Sequence, residues 1–588
     1  MLLVIGFHFF GIQAGFIGVD IFFVISGYLI SSIIFTQLQE GRFRLLAFYQ
    51  HRIRRIFPAL LTVLFFCFGI GWFVLLAVEF EQLNKHIAAG LTFISNFVLL
   101  SESGYFDADS HTKILLHLWS LGIEEQFYIF WPLLLIFWWR WRLNYLWLLF
   151  PLLLVSFAVN VAMITTYPSA TFYLPITRFW ELLIGGILAY RFAVQGKSYL
   201  VFGSENLTAF LGLLLLGICN LVLNDRSPFP GWWALFPTVG AALVISAGQT
   251  AWLNKQVLGS RVLVWIGLIS YPLYLWHWPL LTFARILEGG KQPPTATRIA
   301  IFGLTFLLAW LTYRLIEKPI RFNKTAFFDP NKLIAIGLVF LICSTYVCIK
   351  KGLPLRAANQ LTVLNQGDTG HEEFIQYVDQ QLNISNISEC EIAVVGDSHA
   401  NSLVPGLAEA MPNREFCYFS TEQTLPFTSS AYTNHIFRAI SNFPKINTVV
   451  LSAYWNLRKQ LVPKDSNFTK EIIETTEKLS ASGKKVIVVG GIPNFSFYPT
   501  KCKYEWPFLR QHQCVEKDFF KKQYTQYQPD FEVAKANPKV HIIDLYSLFC
   551  LGDSCAMAKD GLLLFRDENH VNINGSRLIA KRIESQLN

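Results

Sequence analysis

Residues 56–78 read IFPALLTVLFFCFGIGWFVLLAV and contain no Asp, Glu, Lys or Arg. A helix needs roughly 20 apolar residues to cross a bilayer, so this run predicts a transmembrane helix. Charged residues are absent in the same way from residues 207–224, 227–253, 262–284 and 333–349. Shorter or singly interrupted apolar runs occupy residues 1–10, 18–35, 123–139, 143–164, 178–190 and 299–313. We therefore expect a polytopic α-helical membrane domain with about eleven transmembrane helices.

Two stretches depart from this pattern. Residues 1–10 are too short to cross a bilayer alone, and they have neither the basic start nor the small-residue cleavage site of a signal peptide. We expect this first helix to be truncated. Residues 88–100 are expected to lie outside the membrane.

The overall composition excludes a disordered or purely cytosolic chain. Of the 588 residues, 53% are hydrophobic and only 15% are charged, and the mean hydropathy is +0.39. The net charge of +9 does not indicate a nucleic-acid partner, because cations in a membrane protein collect in cytoplasmic loops.

The positions of the basic residues predict the orientation in the membrane. With a cytoplasmic N-terminus, the inner loops hold most of the cations: Arg42, Arg44, Arg52, Arg54, Arg55, Arg140, Arg142, Arg191, Lys197, Lys255, Arg261, Arg314, Lys318, Arg321, Lys324 and Lys332. The positive-inside rule favours this direction. An odd number of spans then places the chain after Lys350 outside the cytoplasm.

The composition becomes mixed and polar after Lys350. We therefore expect a membrane domain at residues 1–325, a last transmembrane helix at 326–350, a linker or folded extension at 351–388, and an outer domain at 389–588.

Cysteine usage gives independent evidence on the compartment. Four cysteines lie in apolar segments and six in the polar part. An even number predicts disulfides and an oxidising compartment. Short separations favour Cys502–Cys514 and Cys550–Cys555, which leaves Cys390–Cys417, although six cysteines allow fifteen connectivities. Buried thiols and a zinc site remain alternatives, but the spacing is not typical of zinc, and we expect no metal.

Two motifs in the outer domain predict hydrolase-type chemistry. Residues 391–395 read as a buried strand, and the turn Gly396-Asp397-Ser398-His399 leads into a helical segment at 401–411. A serine at such a turn lies at the carboxyl edge of a sheet. Asp567 stands three residues before His570, which allows the carboxylate to orient the imidazole. Further strands at 448–452, 486–489 and 540–544, with helices at 470–481 and from 576, indicate a three-layer α/β domain.

The motifs Gly396-Asp397-Ser398-His399 and Asp567-x-x-His570 resemble the SGNH (GDSL-like) hydrolase superfamily over residues 392–587. The resemblance implies that Ser398 is the nucleophile, His570 the base and Asp567 its partner. The family's oxyanion glycine block is not evident near residues 418–426. Asn456 is a weak oxyanion candidate, and the Ser398 N–H is a stronger one.

Ionisable residues within or beside the apolar runs mark a second set of candidates, because such groups are costly at membrane depth. They are His8, Asp20, Glu124, Glu125, Arg178, Glu181, His277 and Glu317. Gly-Val-Asp-Ile-Phe-Phe at 18–23 and Glu-Glu-Gln-Phe-Tyr at 124–128 closely resemble the acyltransferase family 3 membrane proteins, over residues 1–321. The family's Arg eleven residues before the matching His would fall before Met1.

That resemblance implies roles for the membrane residues. Arg52 and Arg55 would bind acetyl-CoA, the acyl donor, from the cytoplasm, and no cofactor would stay bound. His8 would act as base or acyl carrier, and Glu124 and Glu125 are further catalytic candidates. Asp20, Arg178, Glu181, His277 and Glu317 are candidates for lining a membrane cavity. Asp20, Glu181 and His277 could instead be hydrogen-bonded packing residues.

Together the two resemblances predict an O-acetyltransferase. Acetyl groups from cytoplasmic acetyl-CoA would reach Ser398 and then a hydroxyl of a lipid-linked or polymeric glycan, with lipopolysaccharide O-antigen as the expected acceptor. The protein would span a bacterial inner membrane, in contact with its lipids, and its outer domain would lie in the periplasm. Two other interpretations remain open, namely a membrane-tethered carbohydrate esterase and a transporter with an outer binding module.

Overall fold

The computed structural model describes residues 1–103, 112–141, 143–196, 200, 203–224, 227–288, 292–322, 329–353, 389–421, 427, 431–462, 467–495, 515–517, 519–536, 538, 540–560 and 562–587. The chain divides into two compact units, Met1–Pro354 and Leu355–Asn588. The predicted linker or extension at 351–388 lies almost wholly outside the described residues.

The first unit is helical throughout its described part. Its α-helices are α1 (Leu2–Phe10), α2 (Gly18–Gln39), α3 (Leu45–Val74), α4 (Ala77–Leu91), α5 (Ser95–Glu102), α6 (Leu118–Arg140), α7 (Leu146–Met163), α8 (Pro168–Tyr173), α9 (Phe179–Ala193), α10 (Glu205–Val222), α11 (Leu235–Ser246), α12 (Arg261–Leu268), α13 (Ser270–Leu287), α14 (Thr295–Thr312), α15 (Lys318–Phe322) and α16 (Pro330–Ile349). Short 3-10 turns lie at Gly15–Ile17, Pro175–Thr177 and Gly231–Ala234, and π-helical turns at Leu253–Leu258 and Tyr313–Glu317.

Seven helical segments in the described part of this unit are long and apolar enough to cross a membrane. They are Gly15–Gln39, Leu45–Val74, Leu118–Arg140, Leu146–Met163, Glu205–Val222, Thr295–Arg321 and Pro330–Ile349. The other predicted runs form shorter or interrupted helices, so the number of about eleven spans stays a prediction. Residues 262–284, expected as one helix, are divided at Ile269 between α12 and α13. Pro272 explains the break, because a proline lacks the N–H that would bond to the carbonyl four residues back.

Two glycines bring α2 and α9 into direct backbone contact. A Cβ atom on Gly27 would lie 1.9 Å from the Leu182 carbonyl oxygen, and one on Gly185 would lie 2.2 Å from that of Val24. Small residues of this kind let membrane helices approach closely. The contact places Asp20 of α2 beside the start of α9.

The second unit is an α/β domain. Its strands are β1 (Ile392–Gly396), β2 (Phe416–Ser420), β3 (Thr448–Ser452), β4 (Lys485–Val489), β5 (Val515–Lys517), β6 (Val540–Ile543), β7 (Cys550–Leu551), β8 (Ser554–Ala556), β9 (Ala558–Lys559) and β10 (Leu562–Leu563). Its helices are α17 (Ser398–Asn401), α18 (Val404–Ala410), α19 (Ala431–Asn442), α20 (Trp455–Leu461), α21 (Phe468–Ala481), α22 (Phe519–Ala534), α23 (Tyr546–Phe549) and α24 (Ile573–Leu587).

The central sheet is parallel, with strand order β2-β1-β3-β4-β6. Both faces are covered, as near-continuous apolar strands predict. Val394 belongs to a core with Leu407 of α18 and Ile579 of α24. Val395 faces the opposite core, with Leu479 of α21. The predicted three layers are therefore present.

The register of the sheet determines where the functional loops lie. Gly396 pairs with Ser452, and Ser452 pairs with Val489. Because parallel strands end at the same edge, the loops after β1, β3 and β4 meet there. The edge strand β2, which reads FCYFS, was not anticipated from the sequence.

Candidate active site

Gly396 sets the turn that presents Ser398. Its φ is +153°, and a Cβ atom there would lie 1.7 Å from the Ser452 carbonyl oxygen. A side chain at this position would force β1 and β3 apart, so glycine is required. Strand β1 therefore ends against β3. Asp397 caps the next helix, and Ser398 is the first residue of that helix, α17.

The structure brings Ser398, His570 and Asp567 into one hydrogen-bonded chain. Ser398 Oγ lies 2.7 Å from His570 Nε2. His570 Nδ1 lies 2.8 Å from Asp567 Oδ2 and 2.9 Å from Oδ1. With the proton on Nδ1, Nε2 is free to accept from the serine hydroxyl. This is the arrangement that a serine nucleophile and its general base require.

Asp567 is held as a carboxylate. Its Oδ1 accepts hydrogen bonds from the backbone N–H groups of Asn569 at 3.0 Å and His570 at 2.7 Å. Burial by itself would raise the pKa of Asp567, but the hydrogen bond and charge of His570 outweigh burial and lower this pKa to about 2. The carboxylate thus remains charged at neutral pH and orients the imidazole.

The uncharged ring of His399 packs against the ring of His570. Its ring is buried, stacks on Tyr454 with centroids 5.0 Å apart, and meets His570 edge-on at 5.1 Å. Burial lowers the pKa of His399 to about 3. A neutral ring at this place adds no positive charge next to the base.

Asp397 and Arg458 form a buried ion pair that sequence reasoning missed. Arg458 Nη2 lies 2.9 Å from Asp397 Oδ2, and the two residues are only 5% and 1% exposed. Asp397 was noted as part of the turn motif without a role. No local pattern could reveal Arg458, since it is 61 residues away in the sequence.

The side-chain candidate for an oxyanion donor is Asn456. Asn456 lies in the first turn of α20, and its Oδ1 is buried without a hydrogen-bond partner. Among the described residues it makes no hydrogen bond to Ser398 or His570. Residues 422–426, where a glycine block was sought, lie outside the described part of the chain.

Two of the three expected disulfides are present, Cys390–Cys417 and Cys550–Cys555. Cys502–Cys514 lies outside the described residues. The zinc alternative is wrong for the four paired cysteines, because disulfide sulfurs are not thiolate ligands. Cys390–Cys417 joins the chain just before β1 to the edge strand β2.

The first unit contains a buried charge triad. Asp20, Arg178 and Glu181 are each 0% exposed. Arg178 Nη2 donates to Asp20 Oδ1 at 2.9 Å, and its Nε lies 2.8 Å from Glu181 Oε1. The three charges thus pair with one another where α2 packs on α9, as buried charges require. That they line a cavity stays a prediction.

Three histidines cluster elsewhere in this unit. The ring of His277 lies 5.4 Å from that of His8 and 5.6 Å from that of His117, centroid to centroid. Trp278 packs edge-on against His8 at 4.6 Å. His117 was missed in the sequence. The sequence did contain a signal for it, because the polar residues His117, Ser120 and Glu124 follow one another at the spacing of one helix face.

Arg52 borders a cleft of about 430 Å³ lined by Tyr49, Arg52, Ile53, Ile56, Phe57, Phe93, Glu125, Ile129 and Ile334. Its Nη2 lies 3.4 Å from Glu125 Oε1, and its guanidinium lies 4.1 Å from the Tyr128 ring centroid. Glu124 accepts a hydrogen bond from Ser26 at 3.1 Å. Arg55 does not line the cleft. Glu317 is buried and lies 3.6 Å from Arg321.

Comparison with known proteins gives two family matches. A family model described as an acyltransferase domain matches residues 1–314, and one described as an SGNH domain fused to AT3 domains matches residues 371–585. An uncharacterized protein of Haemophilus influenzae is 37% identical over 38% of this chain and 96% of its own length.

Other relatives have functional names. The peptidoglycan O-acetyltransferase OatA of Listeria monocytogenes is 30% identical over 55% of this chain and 54% of its own length. The O-acetyltransferase OatA of Staphylococcus aureus is 31% identical over 55% of each chain. This chain thus spans about half the length of the named relatives that it matches.

Proposed function

Because the chain belongs to the acyltransferase family whose model matches residues 1–314, and also matches an SGNH domain of the kind fused to AT3 domains, we propose that it is a membrane O-acetyltransferase acting on a cell-envelope glycan. The observation that carries the proposal is the hydrogen-bonded chain from Ser398 through His570 to Asp567. The named relatives are both O-acetyltransferases, and this supports transfer over hydrolysis.

The chemistry divides into two half-reactions at Ser398. In the first, His570 Nε2 takes the hydroxyl proton while Ser398 Oγ attacks the acetyl carbonyl. The Ser398 N–H and the Asn456 amide are the proposed donors to the oxyanion. The leaving group departs with the proton from His570, and an acetyl ester remains on Ser398.

In the second half-reaction a glycan hydroxyl takes the place of water. His570 removes the proton of that hydroxyl, and the glycan oxygen attacks the acetyl-serine carbonyl. Collapse of the tetrahedral intermediate breaks the bond to Ser398 Oγ, which recovers its proton from His570. The glycan gains one acetyl ester, and the enzyme returns to its starting state.

The first unit would supply the acetyl group. We propose acetyl-CoA as the donor, bound near Arg52 on the cytoplasmic side, with His8 as base or acyl carrier. The cleft beside Arg52 and Glu125 supports a donor site there, and a guanidinium suits the phosphates of such a donor. Arg55 would contribute charge near the cleft without lining it.

The location is proposed from charge and disulfides. The basic inner loops favour a multi-pass protein of the bacterial inner membrane with Lys350 onward in the periplasm. Cys390–Cys417 and Cys550–Cys555 support an oxidising compartment for the second unit. Lipopolysaccharide O-antigen is the acceptor that the sequence favours, and peptidoglycan is the acceptor that the name of the Listeria relative suggests.

One experiment tests the proposal and separates the two acceptors. Cells of the source organism that lack the gene are complemented with wild type, Ser398→Ala, His8→Ala or the exposed control Ser585→Ala. O-acetyl groups are measured by proton NMR on the O-antigen and by mass spectrometry on muropeptides. We expect wild type and Ser585→Ala to restore acetylation of one polymer, and the other two variants to fail. A loss of acetyl groups when wild type is supplied would instead identify an esterase.

A further inference from the structure

We propose that Arg458 is a positioning residue for Ser398, acting through the carboxylate of Asp397. This proposal deepens the proposed function and rests on Ser398 being the acylated nucleophile. Arg458 itself does not contact Ser398 or His570 in the described structure. Its effect would come from joining two loops of the site, the turn after β1 and the turn after β3.

The Asp397 carboxylate lies between these two turns and accepts hydrogen bonds from both. From its own turn, the His399 N–H donates to Oδ1 at 3.0 Å. From the turn after β3, the Tyr454 N–H donates to Oδ2 at 3.0 Å. Arg458 Nε donates to the same Oδ2 at 3.0 Å. The carboxylate thus ties the residue after Ser398 to the residue two before Asn456.

Arg458 completes this arrangement from the first turns of α20. Its own N–H donates to the Tyr454 carbonyl oxygen at 3.0 Å, so the guanidinium is carried by the same turn that the carboxylate binds. Nε and Nη2 both reach Asp397 Oδ2, at 3.0 and 2.9 Å. A lysine ammonium could replace the charge but not the planar pair of donors.

A contribution to stability is by itself a weak explanation for an ion pair as deeply buried as that of Asp397 and Arg458. Removing two charges from water costs about as much as their attraction returns, and apolar residues of similar volume often serve equally well. A buried pair that bridges two loops does, however, define their relative position. Ser398 follows Asp397 directly, so a shift of the carboxylate would move Ser398 Oγ away from His570 Nε2.

The test measures the reactivity of Ser398 as a nucleophile directly, in the full-length protein in detergent. The probe is a fluorophosphonate, whose phosphorus is attacked by Ser398 Oγ while fluoride leaves and His570 takes the hydroxyl proton. The maximal labelling rate and the probe concentration at half-maximal rate are measured separately. The variants are Arg458→Gln, Arg458→Lys, Asp397→Asn and the double variant Arg458→Gln with Asp397→Asn. Arg414→Gln is the matched control, because it removes the exposed ion pair between Arg414 and Glu391.

We expect Arg458→Gln to lower the maximal labelling rate about 10- to 100-fold, since small misplacements of reacting groups have effects of this size. The half-maximal concentration should change less than about threefold, and Arg458→Lys should recover part of the rate. The double variant should be no slower than the slower single variant, because both changes break one contact. Arg414→Gln should match wild type.

Three results would overturn the proposal: a wild-type labelling rate in Arg458→Gln, losses that multiply in the double variant, or a change confined to the half-maximal concentration. If Arg458→Gln does not fold, Arg458→Lys decides, since a folded lysine variant at the wild-type rate also overturns it. Labelling needs no glycan. A wild type that is labelled at Ser398 but acetylates no envelope polymer would therefore refute the proposed function and leave this test valid.

Discussion

Acidification should destabilise the second unit through His399. Its ring is 1% exposed, and burial lowers its pKa from 6.5 to about 3. The charged and titratable groups that act on it are Asp397, His570, Asp567 and Arg458, and Tyr454 stacks on its ring. In the unfolded chain His399 binds a proton below pH 6.5, whereas in the folded chain it does so only near pH 3. The full stability is present above pH 6.5 and is lost progressively as the pH falls toward 3.

The magnitude follows from these two pKa values. The loss is RT ln[(1 + 10^(6.5−pH))/(1 + 10^(3−pH))], which is negligible at pH 7 and about 2 kcal/mol at pH 5. Asp567 does not mask this loss, because its lowered pKa changes the stability only near and below its ordinary pKa of 3.8. We therefore expect a loss of about 2 kcal/mol between pH 7 and pH 5 from His399 alone.

Hydrogen exchange with mass spectrometry on the full chain in detergent measures this loss within the second unit. Protection of amides in β1 and β3, corrected for the intrinsic effect of pH, gives the free energy of opening. Wild type and His435→Gln, a change at an exposed histidine, should lose about 2 kcal/mol between pH 7 and pH 5. His399→Gln should lose less than about 0.5 kcal/mol over the same interval. An equal loss in His399→Gln and wild type would refute the reasoning.

Three further changes test separate parts of the structure. Gly396→Ala places a Cβ atom 1.7 Å from the Ser452 carbonyl oxygen, and should lower fluorophosphonate labelling more than about tenfold. Asp567→Asn removes the carboxylate that holds the His570 tautomer, and should lower labelling about a thousandfold or more without loss of folded protein. Arg178→Gln leaves two buried carboxylates uncompensated and should cost the first unit about 3–5 kcal/mol. Thermal aggregation followed by size-exclusion chromatography should show this loss, and Arg261→Gln, at an exposed position, should not.

Much of the fold was predictable because the deciding signals are local. The run at 56–78 falls largely within α3, and the runs at 123–139 and 143–164 coincide closely with α6 and α7. The strand expected at 448–452 is β3. Segments of this kind are visible in sequence because hydrophobicity over 20 residues, or over five consecutive buried positions, does not depend on what the segment packs against.

The candidate triad was also visible, for a related reason. The turn motif at Ser398 and the Asp567-x-x-His570 motif each need only a few neighbouring residues. The contact between Ser398 and His570 joins residues 172 positions apart, and the sequence could only imply it through the resemblance. The parallel register of β1 and β3 is what brings the functional loops together.

By itself, then, the sequence determined which segments are long and apolar enough to cross a membrane, four of the five strands of the central sheet, and which residues carry the hydrolase-type motifs. Only the tertiary structure decided the partners of the buried charges. Arg178 pairs with Asp20 across 158 positions, and Arg458 with Asp397 across 61. A charge in a sequence shows that a partner is needed when it is buried, but not which residue supplies it. That choice depends on which backbones pack within hydrogen-bond reach, and packing is a property of the folded chain.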